Sequence, residues 1–227
     1  MSDNTTPHRA AAYDREVRTV IPYYDLFHRE TIDLVLTNHP KAESWLDTGC
    51  GTGELIRRAY SHFPMTDFTL ADPSPDMISQ ARAKLAHIPR SQLHFITGRT
   101  TPDLTMEKEC FDIVSAIQSH HYLRREDKAR AAQICHKLLK PNGIYIYFEH
   151  IEPDTVAGEQ MGLARWRRYL EDHGHSEAEI RRHGRRRNTS YFPMTRDEHL
   201  FMLRNEGFRI VELFWYSYMQ AGFYAVK

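Results

Sequence analysis

Two hydrophobic rhythms alternate along the chain. From Tyr13 to Asn38 the apolar residues recur at helical spacing, with an interruption at Ile21-Pro22, because proline disfavours a helical residue before it. A short apolar run, Ser44 to Asp47, predicts a strand that ends in the glycine-rich segment Gly49-Cys50-Gly51-Thr52-Gly53. A helix is expected from Gly53 to His62, then a strand at Asp67–Ala71 that Asp72-Pro73-Ser74-Pro75 breaks. Ser74 suits an N-cap and Pro75 a first helical position, opening a helix through Leu85. Gln92–Thr97 and Phe111–Ile117 read as strands, and Arg124–Leu139 as an amphipathic helix. Pro141-Asn142-Gly143 predicts a turn before a fifth strand, Ile144–Glu149.

That rhythm of strand and helix means an open, mostly parallel α/β sheet with helices on both faces. It then stops. Glu152 to Asn188 is charged and helix-compatible, without a strand-like segment. Thr195–Asn205 predicts a helix with a Thr-x-x-Glu capping box (Thr195, Glu198), followed by strands at Phe208–Tyr216 and Met219–Val226 joined closely enough for an antiparallel hairpin. The organisation expected is an N-terminal helical cap over 1–40 and one domain over 41–227 that carries a helical insertion at 152–190.

At 227 residues, 41% hydrophobic and 26% charged, the chain has material for a real core. No apolar run approaches a membrane span, and the polar Met1 to Pro7 reads as a frayed tail rather than a secretory leader. Three separated cysteines, with no C-x-x-C pair, argue against a disulfide framework or zinc ribbon and for a reducing cytoplasm. The fourteen histidines form no H-E-x-x-H pair, so no metal site is expected. Net charge is zero, yet eight arginines face four acids between Arg165 and Arg187.

A strand running into Gly-x-Gly-x-Gly and then a helix is a nucleotide-type turn, where glycine lets a ligand approach the main chain. Its spacing is neither that of dinucleotide enzymes nor that of a P-loop. Asp72 follows at the end of the next strand, about 20 residues on, where a carboxylate accepts ribose hydroxyls.

The segment Trp45-Leu46-Asp47-Thr48-Gly49-Cys50-Gly51-Thr52-Gly53 resembles the first motif of class I S-adenosylmethionine (SAM)-dependent methyltransferases. Four further segments match in order: Leu70–Met77, Phe95–Gly98, Phe111–Val114 and Leu138–Gly143. The resemblance implies a Rossmann-like seven-stranded sheet with its last strand antiparallel, and SAM as cofactor. It places Asp47, Gly49, Cys50, Gly51 and Gly53 around the methionine part, Asp72 on the ribose, and Pro73 and Met77 beside the adenine. Gly98, Arg99 and Thr100 would stand at the adenine amine, though many relatives carry an acid where this chain has Arg99. Ile117 and Gln118 would lie beneath the sulfonium. Tyr13-Asp14, Val17-Arg18 and Ile21-Pro22-Tyr23-Tyr24 resemble the N-terminal helix of the UbiE/CmoA-like branch, which includes carboxy-SAM synthase. There Tyr24 would reach the cofactor carboxylate, and Tyr13 and Arg18 would stand on the substrate side. After the fourth strand the chain departs from the synthase: Gln118-Ser119-His120-His121-Tyr122-Leu123 is closer to small-molecule methyltransferases.

Methyl transfer is an in-line displacement on an activated carbon, so alignment and water exclusion dominate, and histidine suits any proton removal. His121, with His120 beside it, is the candidate base; the alternative is catalysis by proximity alone. Trp166, Tyr169 and some of the arginines are expected to form a lid over a small-molecule acceptor with an anionic group. The alternatives for the arginines are a solvated helix face or a homodimer contact. Two rival functions remain: a tRNA-modifying enzyme of the carboxy-SAM/wobble-uridine type, with arginines tracking phosphates, and a non-catalytic SAM-binding regulator.

Overall fold

The computed structural model describes Thr6 and residues 9–227; apart from Thr6, the tail reading of residues 1–7 lies outside the described residues. Two helices come first, α1 (Tyr13–Val20) and α2 (Tyr24–Asn38), broken where the Ile21-Pro22 step predicts and where Tyr23 takes a left-handed φ of 62°. Then follow β1 (Ser44–Thr48), α3 (Glu54–Ala59), β2 (Asp67–Asp72), α4 (Pro75–Lys84), β3 (Leu93–Thr97), β4 (Phe111–Ile117), α5 (Arg125–Leu138) and β5 (Leu139–His150). The remaining elements are α6 (Val156–Asp172), α7 (Glu177–Gly184), α8 (Arg196–Asn205), β6 (Ile210–Ser217) and β7 (Gln220–Val226).

One seven-stranded sheet runs in the order β3-β2-β1-β4-β5-β7-β6. Pairings from β3 through β5 are parallel, and β7 is antiparallel to both of its neighbours. Burial on both faces explains the near-continuous apolar strands. Along β5, Ile144, Ile146 and Phe148 enter the core beneath α2, α3 and α4, while Tyr145 and Tyr147 enter the core beneath α5 and α8. A third, smaller cluster joins Val20, Trp166, Leu170, Ile180 and Met219, and so packs α1, α6 and α7 together at one end of the sheet.

Three boundaries differ from the periodicity. Pro141-Asn142-Gly143 is not a turn ahead of β5 but an irregularity within it: Leu139 already pairs with Phe111, and Asn142 absorbs the extra length at φ 63°. Gly53 is the left-handed N-cap of α3, which ends at Ala59. β6 starts at Ile210 rather than Phe208, since Gly207 and Phe208 still close off α8 through N–H groups bonded to Arg204 and Leu203 carbonyls. The predicted caps of α4 and α8 are present, Ser74 accepting from Met77 N–H and Thr195 forming a full box with Glu198.

The strand order reverses between β1 and β4, and the carboxyl ends of strands flanking such a reversal are where open α/β sheets hold ligands. Backbone packing there is close. Gly49 has φ +67°, and a Cβ built on it would lie 2.3 Å from Cβ of Ser119. Gly49→Ala is therefore expected to cost more than about 1 kcal/mol, from strain and overlap together. Urea unfolding of the variant tests this, and an unchanged midpoint would show that the β1 and β4 loops can part freely.

Candidate functional site

Asp72 organises the glycine loop. Its Oδ2 accepts from Gly51 N–H at 2.9 Å and its Oδ1 from Ser74 N–H at 2.9 Å, so one carboxylate fixes the turns after both β1 and β2. The Ala71 carbonyl adds bonds from Gly49 and Cys50 N–H. Gly51, at φ +53°, has nothing within 4 Å of where a Cβ would stand, and therefore faces open space. That space is a cleft of about 310 Å³ bordered by Gly49, Gly51, Asp72, Pro73, Met77, Thr100, Ile117 and Gln118. Gly98 and Arg99 are exposed, Gly98 N–H bonding the Asp72 carbonyl, while Thr100 and Thr101 turn inward. Gly53 packs against Ala81 and Leu85 instead.

A narrow inner recess of about 20 Å³ continues from the loop, between Asp47, Cys50, Tyr24 and His28. Burial pushes the Asp47 carboxyl up to about 7, against the opposing hydrogen bond of 2.7 Å from Ser115 Oγ. Burial likewise lowers His28 to about 3, and its Nδ1 is buried without a hydrogen-bond partner. A side cavity of about 70 Å³ opens on the other flank, walled by Val17, His121, His150, Trp166, Arg186, Tyr191 and Gln220. Tyr13, the first residue of α1, borders all three spaces.

Charge holds α1 in that position. Burial pushes Glu54 up, but hydrogen bonds from Arg57 and Arg58 and the charge of Lys84 outweigh it and keep the carboxyl well below its usual range. Lys84 also reaches Asp14 of α1 and Thr52 of the loop, and Arg18 binds Asp25 and Glu54. Arg18 is thus spent on this cluster and does not face the side cavity. From the insertion, Trp166 Nε1 donates to the Val20 carbonyl at 2.8 Å and Tyr169 Oη to the Arg18 carbonyl at 2.6 Å. Tyr169 therefore acts as a tether, whereas Trp166 both tethers and lines the cavity.

The two adjacent histidines differ. His120 has both ring nitrogens occupied, Nε2 at 2.7 Å from Thr101 Oγ1 and Nδ1 at 2.8 Å from the Tyr145 hydroxyl, so it has no free lone pair for a substrate proton. His121 lines the side cavity with Nδ1 buried and unpartnered, and burial holds it well below its ordinary pKa, hence neutral. Among the arginines, Arg167 pairs with Glu171 and Glu177, Arg181 with Glu177, and the buried Arg187 with Glu159 at 2.7 Å. Arg186 is the one that borders the cavity among the described residues.

A family profile described as "Methyltransferase domain" matches residues 46–145. Carboxy-S-adenosyl-L-methionine synthase of Wolinella succinogenes is 32% identical over 209 residues, 89% of this chain and 84% of that protein. The chain belongs to the class I SAM-dependent methyltransferases, in their UbiE/CmoA-like branch. This methyltransferase is also 30% identical to the malonyl-[acyl-carrier protein] O-methyltransferase of Halalkalibacterium halodurans over 138 residues, 56% of this chain and 49% of that protein. Among solved structures it is similar in fold to Haemonchus contortus phosphoethanolamine N-methyltransferase 2, crystallised with phosphomonomethylethanolamine and S-adenosylhomocysteine, at a TM-score of 0.69 and 14% identity, covering 96% of this chain and 57% of that one.

SAM is the cofactor of this enzyme, and the open face of Gly51 beside a buried carboxylate is a cradle of the kind it needs. Among the described residues no group of three His, Cys, Asp or Glu could hold a metal, and no helix is long and apolar enough to cross a membrane. The sequence reading of the methyltransferase expected some arginine of the 165–187 cluster there without singling out Arg186, and it missed His28, Thr101, Tyr122, His150, His183 and Gln220, all of which border these spaces. A signal existed for two of them: Gln220 is a polar opening to an apolar strand, and His150 closes another at the same end of the sheet.

The raised Asp47 gives a pH dependence with a definite sign. Its folded pKa of about 7 exceeds the value near 3.9 of an unfolded aspartate, so the native enzyme holds the extra proton and loses stability as pH rises between the two. Asp47→Asn removes that loss. Its melting temperature relative to the parent is expected to climb from pH 5 to pH 8 without ligand; a constant difference across that range would show Asp47 ionised throughout.

Proposed function

We propose that this enzyme transfers the methyl group of SAM to a small-molecule acceptor bearing an anionic group, held in the side cavity. One observation carries the reading: a cavity that shares Tyr13, Gln118 and Tyr122 with the cofactor cleft presents a neutral His121 with an unpartnered Nδ1 and the cation Arg186 on walls of mixed polar and apolar side chains. SAM, when bound, supplies an activated methyl group on a sulfonium. The chain's own residues do the rest. Asp72 receives the ribose hydroxyls; Asp47 and Tyr24 meet the amino-acid end; Pro73 and Met77 enclose the adenine. Thr100, with Gly98 and Arg99 outside it, borders the adenine edge, and Ile117 and Gln118 floor the reacting end. Arg186 orients the acceptor's anion, as a guanidinium does in a low-dielectric wall. His121 takes the proton of a hydroxyl acceptor, and Tyr13, Trp166 and Tyr191 exclude water.

Arg167 and Arg181 are engaged by Glu171 and Glu177 along α6 and α7, which favours a small acceptor over RNA at those two positions. A second reading comes from the 32% identity to a carboxy-SAM synthase: the product would then be a carboxylated cofactor rather than a methylated acceptor. Mass analysis of the nucleoside products separates the two. Incubation of the enzyme and SAM with a fractionated extract is expected to yield S-adenosylhomocysteine in step with a methylated small acid. Accumulation of carboxy-SAM without S-adenosylhomocysteine would overturn the first reading in favour of the second.

Two substitutions test the assigned roles. Asp72→Ala is expected to weaken S-adenosylhomocysteine binding by roughly 10- to 150-fold, the worth of charge-assisted hydrogen bonds, as measured by calorimetry. His121→Ala is expected to lower the turnover number by about 10²–10⁴-fold with S-adenosylhomocysteine affinity unchanged. An unaltered rate across pH would leave proximity as the sole source of catalysis.

A further inference from the structure

The side cavity contains a hydrogen-bond relay with a direction. Gln118 Nε2 donates to Gln220 Oε1 at 2.8 Å, and Gln220 Nε2 lies 2.8 Å from His150 Nδ1. All three side chains are at least nine-tenths buried and border the cavity. An amide whose oxygen already accepts has only its NH₂ left to offer, so Gln220 donates and His150 Nδ1 must accept. Burial holds His150 down to about 3, with Arg187 and Lys128 adding to the effect, so the ring is neutral and carries a single proton. That proton is on Nε2. Edge contacts from Tyr191 and Trp166, with centroids 5.1 and 6.5 Å away, hold the ring in place. Two buried atoms are left without partners at the ends of the relay: His150 Nε2, a donor, and Gln118 Oε1, an acceptor. Buried polar groups in folded proteins are mostly paired, so a donor and an acceptor left open on residues that border one cavity are groups a ligand could satisfy.

Resting on the acceptor-site reading above, we infer that Gln220 is a positioning residue that locks His150 as an Nε2–H donor, and that His150 thereby selects acceptors presenting a carbonyl or carboxylate oxygen at that point. An ammonium or other obligate donor placed there would meet a second N–H and stay unpaired, which is how a site built to bond one group rejects another.

The test uses the full chain saturated with S-adenosylhomocysteine, labelled with ¹⁵N-histidine, with the His150 signals assigned through a His150→Asn variant. Long-range ¹H–¹⁵N spectra are expected to show His150 as the Nε2–H tautomer. Titrated with two probes of equal length and opposite charge, the protein is expected to bind butyrate at least about tenfold more tightly than butylammonium, with shifts at His150. Gln220→Leu is expected to mix the two tautomers and erode that preference while the S-adenosylhomocysteine dissociation constant stays unchanged, a result that loosened packing alone would not give. An Nδ1–H tautomer in the parent protein, or equal affinity for the two probes, overturns the inference. Silence of both probes with cofactor binding intact overturns the acceptor-site reading and the inference with it. Loss of S-adenosylhomocysteine binding in the parent would instead sink the cofactor assignment.

Discussion

Everything distinctive about this molecule depends on one carboxylate, Glu54, in the first turn of α3. It is nearly buried, and a buried charge survives only where partners surround it. Here Arg57 and Arg58 come from its own helix, Lys84 from α4 and Arg18 from α1. Through Lys84 and Arg18 the cluster reaches Asp14, Asp25 and Thr52, so four helices and the glycine loop share one electrostatic centre. The sheet would form without it. The cluster adds an electrostatic hold on α1 to the apolar packing of Val17 and Val20 and to the bonds from Trp166 and Tyr169.

The rest of the site follows from that placement. With α1 fixed, Tyr13 stands where the inner recess, the cleft and the side cavity meet, and the insertion closes over α1 rather than over the sheet directly. The two histidines after β4 then divide their duties by geometry alone. His120 is drawn into a buried chain from Thr48 through Thr101 to Tyr145, while His121, one residue on, faces the cavity. Residues adjacent in sequence, both buried and both kept neutral by burial, thus differ in their hydrogen-bond partners.

What the sequence disclosed and withheld divides along physical lines. Local chemistry was legible: the strands, the Ser74 and Thr195 caps, the break at Ile21-Pro22, and a glycine loop followed by Asp72 at strand spacing. Each depends on neighbours within a turn or one βαβ unit. The Pro141-Asn142-Gly143 irregularity misled because turn residues and bulge residues share the same left-handed requirement. Partners across the fold were not legible. Gln118 and Gln220 are 102 positions apart and Gln220 and His150 are 70, brought together only because β7 returns antiparallel beside β5. The family resemblance placed Arg18 on the substrate side, and the assembled cluster shows its guanidinium bonded to Asp25 and Glu54.

The way the insertion grips α1 has a consequence for how such an enzyme could diversify. Trp166 and Tyr169 bond to main-chain carbonyls, those of Val20 and Arg18, and a carbonyl is supplied by any residue. These two bonds are therefore indifferent to the side chains of Tyr13 and Val17, which α1 also turns toward the cavity, whereas Val20 adds its own packing against Trp166 and Leu170. The wall of the cavity can change at Tyr13 and Val17 while these bonds are kept: the architecture separates the hinge from the lock, and selection can recut the lock alone.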